Sequence, residues 1–351
     1  MCNDSAEPVA PPIAVDPRVE AESENDQTDN ERYNHTLIGV ERPASLTESI
    51  KEYREIHGRT FTQKTEYWGP NDEKHNDALD FNHFWITELF DDKLTLAPIG
   101  DSPQRVLDLG TGTGIWAMEF ADLFPSAEVI GIDLSPTQPA WVPPNVQFLI
   151  DDFEKEWSWP QDHFDYVHAR NLEGCFADLP AFCKELYDHT KPGGYFEIIE
   201  FDTRARSQNV ELDDKHIFNQ WYNWIVEGQA KMGKPQGNVA SGRFKQALLD
   251  AGFTDLVEKR WKVPVGTWPA KPEMKRLGYC NLEFMEKSLE GFMLYILKEV
   301  LGFTTEETHV TISEVRAAFR DYKIQPYYYM DAVFARKPIE VEQKTEDTPE
   351  A

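Results

Sequence analysis

Asp108-Leu-Gly110-Thr-Gly112-Thr-Gly114 follows the apolar run Arg105-Val-Leu-Asp-Leu109 and opens a segment with helical spacing, so a strand must turn into a helix through three closely set glycines. Glycine lets backbone approach a ligand and adopt conformations that a Cβ forbids. A loop of this kind suits a nucleotide. The dinucleotide fingerprint Gly-x-Gly-x-x-Gly/Ala is not met, because Ile115 stands three residues after Gly112. A nicotinamide dehydrogenase is disfavoured on that spacing. Asp108, two residues before Gly110, also suits a cationic or hydrogen-donating part of a ligand better than a phosphate.

The rhythm around this loop predicts the fold class. Arg105-Val-Leu-Asp-Leu109, Ala127-Glu-Val-Ile-Gly-Ile132, Val146-Gln-Phe-Leu-Ile150, Asp165-Tyr-Val-His168 and Tyr195-Phe-Glu-Ile-Ile199 read as buried strands, with helices near 114–124 and 178–189 between some of them. Alternation with crossovers of this length implies an α/β fold with a parallel sheet covered on both faces. Asp178 is placed to cap the later helix, and Lys191-Pro-Gly-Gly194 reads as a turn into the fifth strand. Upstream, Ser45-x-x-Glu48 with Ile50, Tyr53 and Ile56 predicts a capped helix stopped by Gly58, and a second helix starts near Asn71 or Asp72 with Leu79, His83, Ile86 and Phe90 on one face. Downstream, the spacing predicts helices at 211–232 and 241–251, a strand at 256–265, two further helices within 267–322 and a last strand at 327–335.

Two acidic strand ends describe the ligand. Asp133 closes the strand after the glycine loop, where a carboxylate can accept both hydroxyls of an unphosphorylated ribose. Asp151-Asp152-Phe153 closes the next, offering an acceptor for an adenine amino group and a ring beside the base. Adenosine with a positively charged remainder is the compound so described, and S-adenosylmethionine has that form. The chain resembles the class I S-adenosylmethionine-dependent methyltransferases, and within them the LaeA-like group of filamentous fungi. The likeness rests on the glycine motif at 106–116, the acidic strand end at 130–135, Asn145-Val-x-Phe-x-x-x-Asp152, Phe164-Asp-Tyr-Val-His-Ala-Arg170 and Lys191-Pro-Gly-Gly-Tyr-Phe-Glu197. Tyr67-Trp-Gly-Pro-Asn-Asp-Glu73 followed by Leu79-Asp80 narrows it to the group; Gly69 departs from the leucine more usual there.

This resemblance implies a Rossmann-like, mostly parallel seven-stranded sheet with helices on both faces and a helical cap. It implies that Gly110 and Gly112, with Thr111, Gly114 and Asp108, pass the methionine moiety, that Asp133 and Leu134 meet the ribose, and that Asp152 and Phe153 hold the adenine. His168, Ala169, Arg170 and Asn171 would flank the sulfonium, Tyr67 and Asn71 would close over the cofactor, and S-adenosylhomocysteine would be the product. The helices at 211–232 and 267–322 would face the acceptor. His168 is the first candidate for a general base, ahead of His216, Glu200 and Asp202, with packing or orientation of the cofactor as its alternative role. Phe218, Trp221 and Trp224 at helical spacing are expected in the core rather than around an acceptor.

Charge and cysteine use bound the remaining classes. Lysine and arginine number 35 against 62 aspartates and glutamates, a net charge of −27. Residues 1–31 hold nine acidic groups and one basic, and residues 339–351 five and one. Direct nucleic-acid binding is disfavoured, since it draws on lysine and arginine displacing counterions. Cys2, Cys175, Cys183 and Cys280 form no metal-binding spacing, no run is long and apolar enough for a membrane span, and a cytoplasmic or nuclear protein is expected. We expect a disordered arm over 1–44, a helical lid over 45–103, the methyltransferase domain over 104–338 with its insertion at about 267–322, and a disordered tail over 339–351. The acceptor is a protein or a small metabolite; the alternative is a regulatory protein that binds the cofactor and partners but catalyses little.

Overall fold

The computed structural model describes residues 12–14, 53–63 and 67–339; the expectations for the rest of the arm, for residues 45–52 and for the tail beyond 339 fall outside these. Short apolar runs become β3 (Arg105–Leu109), β4 (Glu128–Asp133), β5 (Val146–Ile150), β6 (Phe164–Arg170) and β7 (Thr190–Ser207). With β8 (Thr254–Pro264) and β9 (Pro326–Arg336) they make one sheet in the order β5-β4-β3-β6-β7-β9-β8. Only β9 runs against the others. The expected seven-stranded, mostly parallel sheet is present. The order reverses between β3 and β6, so the crevice beyond the carboxyl ends of these two strands is where such a sheet takes its ligand.

Around the sheet lie α1 (Glu73–Leu89), α2 (Ile115–Leu123), α3 (Leu179–His189), α4 (Ile217–Lys231), α5 (Arg243–Ala251), α6 (Pro272–Tyr295) and α7 (Thr305–Arg320). Asp72 caps α1 by accepting from the His75 N–H at 3.0 Å, and Asp178 caps α3 from Ala181 at 3.0 Å, as their sequence positions predict. α6 runs on into a π-helical turn, Ile296–Val300. Helices α1, α4, α6 and α7 build a core of their own around Trp85, Phe218, Leu289 and Phe319, which covers the β7–β9–β8 part of the sheet.

Four expectations are corrected. The helix ending at Gly58 is absent from 53–58: a hairpin of β1 (Arg54–Ile56) and β2 (Arg59–Phe61) stands there, turning through His57 and Gly58, both at positive φ. Such a two-residue turn matches strand twist, and Ile56 at helical spacing from Tyr53 was a coincidence of period. Residues 191–194 are no turn between elements but a bulge inside β7, since Phe164 and Tyr166 of β6 face Thr190 and Tyr195. Helix α4 begins at Ile217, not 211, because His216 caps it. Finally, residues 12–14 of the arm are ordered by contacts: Ile13 gives and takes a hydrogen bond with the Gln208 side chain at 2.8 and 2.7 Å, and the Ala14 carbonyl accepts from Ala270 at 2.7 Å.

Candidate active site

The loop after β3 is held by its own residues. Gly110, Gly112 and Gly114 have φ of 63°, 58° and 82°. A Cβ on Gly110 would lie 2.4 Å from the Leu172 side chain, and one on Gly114, the N-cap of α2, 2.3 Å from the Phe148 ring. Both positions therefore need glycine twice over, for conformation and for space. Beneath the loop Asp108 is buried; it accepts from the Thr111 hydroxyl at 2.6 Å and bonds His168 Nδ1 at 2.7 Å. Burial lowers the His168 pKa more than Asp108 raises it, and the charges of Arg170 and His83 add to the lowering. The neutral ring then donates from Nδ1 and carries its lone pair on Nε2, which has no protein partner. His168 also stacks on Trp116, ring centres 3.7 Å apart and 5° from parallel.

At the end of β4, Asp133 accepts from the Gly112 N–H and the Ser135 N–H, each at 2.9 Å. Burial raises its pKa, against these backbone donors, which favour the ionised form. After β5, Asp152 accepts from Glu154 N–H at 3.1 Å, and the Phe153 ring packs against Phe176 and Phe182.

The hairpin, which sequence reasoning missed, ties the segment before α1 to the loop after β4. Arg59 is buried and forks onto Asp72, with Nη2 to Oδ1 at 2.9 Å and Nε to Oδ2. Asn71 pairs with Thr60 through backbone and side chain, both at 2.8 Å, and donates to Ser135 Oγ at 3.1 Å. The available signal was the strand-like alternation on either side of His57-Gly58. Tyr67 is half-buried, and the burial of its phenol raises its pKa well above the usual value. The departure at Gly69 has a local reason: a Cβ there would meet the Tyr67 ring at 2.8 Å.

One cavity of about 260 Å³ joins these parts. At one end it is lined by Tyr67, Asn71, Asp108, Gly110, Thr111, Gly112, Asp133, Leu134, Asp152, Phe153, His168 and Arg170. Gly114 and Ala169 do not line it; Gly114 caps α2 and Ala169 is buried within β6. At the other end the walls are Phe201 of β7, Trp221, Tyr222 and Ile225 of α4, Phe284, Met285 and Phe292 of α6, and Tyr328 of β9. Of the aromatic set on α4, Phe218 is core against Phe319 and Trp224 packs on Phe303, whereas Trp221 faces the cavity. The other base candidates separate as well. His216 caps α4 through Phe218 N–H at 3.2 Å, and Asp202 is engaged by Arg206 at 2.5 Å; neither lines the cavity. Glu200 does, accepting from Leu172 and Glu173 N–H at 2.6 and 3.2 Å. Burial, then the charge of Glu173, raise its pKa well above the usual carboxyl value.

Arg170 enters the cavity from β6 and donates to His83 Nδ1 at 2.7 Å. Guanidinium has no lone pair, so His83 Nδ1 accepts and its Nε2 donates to Glu119 at 2.8 Å. A chain of three side chains from β6, α1 and α2 thus fixes the guanidinium. No group of three or more metal-ligating side chains is present among the described residues, and no helix among them is long and apolar enough to cross a membrane.

A family profile described as a methyltransferase domain matches residues 81–257. The methyltransferase pytC of Aspergillus terreus is 34% identical, over 84% of this chain and 91% of that protein. The secondary metabolism regulator LAE1 of Cochliobolus heterostrophus is 32% identical over 86% and 99%. The protein-methionine methyltransferase laeA of Emericella nidulans is 30% identical over 82% and 77%.

Proposed function

The chain belongs to the S-adenosylmethionine-dependent methyltransferases, in the LaeA-like group, and from that premise we propose that it methylates a small, largely apolar molecule enclosed beneath α4 and α6. The observation that carries the reading is the continuity of the cavity: the glycine loop and acidic strand ends pass directly into the aromatic walls built by Trp221, Phe284 and Phe292. A protein acceptor such as a basic tail would need an open acidic groove, whereas this end is walled by aromatic side chains.

The residues present fit the cofactor. Gly110, which has no room for a Cβ, keeps the loop thin where the methionine portion would run, and Asp133, half-buried and held by backbone donors that favour its ionised form, is the acceptor for a ribose. Asp152 and Phe153 would hold the adenine, with Leu134 beside the sugar, while Asn71 and Tyr67 close the lid. Bound S-adenosylmethionine supplies an activated methyl group on a cationic sulfur, so the protein's task is alignment and exclusion of water. Asp108 holds Thr111 and His168 together, and the stacked, buried imidazole keeps β6 in register with the loop. We assign His168 an orienting role on this geometry. Arg170, braced by His83, and Glu200 are the polar groups from which an acceptor takes its direction.

Incubation with methyl-labelled cofactor and either a fungal metabolite extract or histone peptides tests the reading. Label is expected in small molecules; label confined to peptides would overturn it. A second reading has one observation behind it. Met285 lines the cavity, so its thioether is available as an intramolecular acceptor, and a protein-methionine activity is named for the Emericella relative. Mass gain by the protein itself, absent in Met285→Leu, would select that reading.

A further inference from the structure

Gln229 sits on the cavity face of α4, one and two turns beyond Ile225 and Trp221, and is 1% exposed. Its side-chain amide leaves both Nε2 and Oε1 buried without a protein partner, and among the described residues no other side chain leaves two polar atoms so. The amide lies flat over Gly174, where a Cβ would come within 2.2 Å of Nε2 and 2.4 Å of Oε1; Gly174 has φ of +75°. One face of the amide is thus closed by backbone, and the residue is among those that line the cavity. A buried amide with neither hydrogen bond made is costly, and it is retained where a ligand supplies both.

Resting on the reading of this cavity as a methyltransferase site, we propose that Gln229 selects the acceptor, pairing edge to edge with a donor and an acceptor set side by side. Lactams, secondary cis-amides and carboxylic acids present that edge. The rest of the molecule is flat and apolar, to lie among Trp221, Tyr222, Phe284 and Tyr328. Of these, Trp221 Nε1 and Tyr328 OH are also without partners, so further polar substituents on the ring system have donors to meet. Gln229 is a specificity-determining residue here and takes no part in breaking or forming the methyl bond.

The probe is 2-quinolone, a flat bicyclic lactam, against 2-methoxyquinoline, which has the same ring but no N–H. Calorimetric titration of the protein loaded with S-adenosylhomocysteine should show roughly 10- to 100-fold tighter binding of the lactam, the range expected when a buried polar group is left unpaired. Gln229→Met, matched in length, should erase the preference and leave the cofactor Kd unchanged. If Gln229→Met does not fold, as judged by loss of cofactor binding, Gln229→Leu decides in the same way, since it also removes both the donor and the acceptor. Equal binding of the two probes to the natural protein, or a preference that survives the substitution, overturns the proposal while leaving the methyltransferase reading in place. Failure of the natural protein to bind S-adenosylmethionine at all overturns that reading and this inference with it.

Discussion

At the glycine-loop end of the cavity, the carboxylates and Asn71 are already paired within the protein, Asp108 with Thr111 and His168, Asp133 with Gly112 and Ser135, Asn71 with Thr60 and Ser135, while His168 Nε2 and Asn171 Oδ1 are not. At the helical end, Gln229, Trp221 and Tyr328 keep buried polar atoms unpaired among aromatic walls. The first arrangement needs no reorganisation to receive its ligand, and the second waits for one to complete it. On the proposed function, a cofactor common to a family and an acceptor particular to one member account for that division: the end proposed for the shared molecule is preorganised by backbone, and the end proposed for the acceptor is written in side chains.

Substitutions should separate the two ends. The largest effect belongs to Asp133→Ala, which removes the acceptor of two backbone donors as well as the proposed ribose partner. Cofactor affinity should fall about 100-fold by calorimetry, as for loss of charge-assisted hydrogen bonds. Trp221→Ala should lower methyl transfer about 10-fold while cofactor affinity stays put, because only the acceptor wall is lost. If cofactor affinity drops in parallel, the two ends are not independent. Gly69→Leu pushes a side chain into the Tyr67 ring and should weaken cofactor binding about 3-fold, a modest overpacking effect absorbed by the lid.

The smallest effect is on stability. Glu197 is buried on β7 and accepts from Leu96 and Ala97 N–H at 2.8 and 2.5 Å, and burial raises its pKa from 4.5 to about 7. The folded state therefore binds its proton more tightly than the unfolded chain. Its contribution is complete below pH 4.5 and is lost as pH rises through about 7. Glu197→Gln should flatten that segment of the stability curve, read as chemical-denaturation midpoints at several pH values, without altering either end of the cavity.

Much of the cofactor end was legible in sequence because it is local: a strand, a glycine loop and a helix follow one another within about a dozen residues, and each strand of a parallel sheet delivers its last residue to the same edge. Asp108, Asp133 and Asp152 came together for that reason. The resemblance grouped Gly114 with the residues passing the methionine moiety; in the fold it lies off the cavity, and its missing Cβ makes room for Phe148. The hairpin at 54–61 was hidden by apolar residues at helical spacing, though His57-Gly58 carried the turn. Trp221 and Phe218 lie three apart on one helix and both pack against Phe319 of α7, yet only Trp221 also lines the cavity, a distinction their spacing does not carry.

The order of residue types along the chain was enough to establish the sheet, the loop conformation and the chemistry of the cofactor, since all three depend on near neighbours and on strand direction. Which polar atoms are satisfied and which are left waiting was decided by the tertiary structure alone. Gln229 is unpaired because Gly174, more than fifty positions earlier, closes one face of its amide and no donor or acceptor arrives at the edge. Hydrogen bonding is short-ranged and directional, so its completion depends on distances that only the folded chain sets.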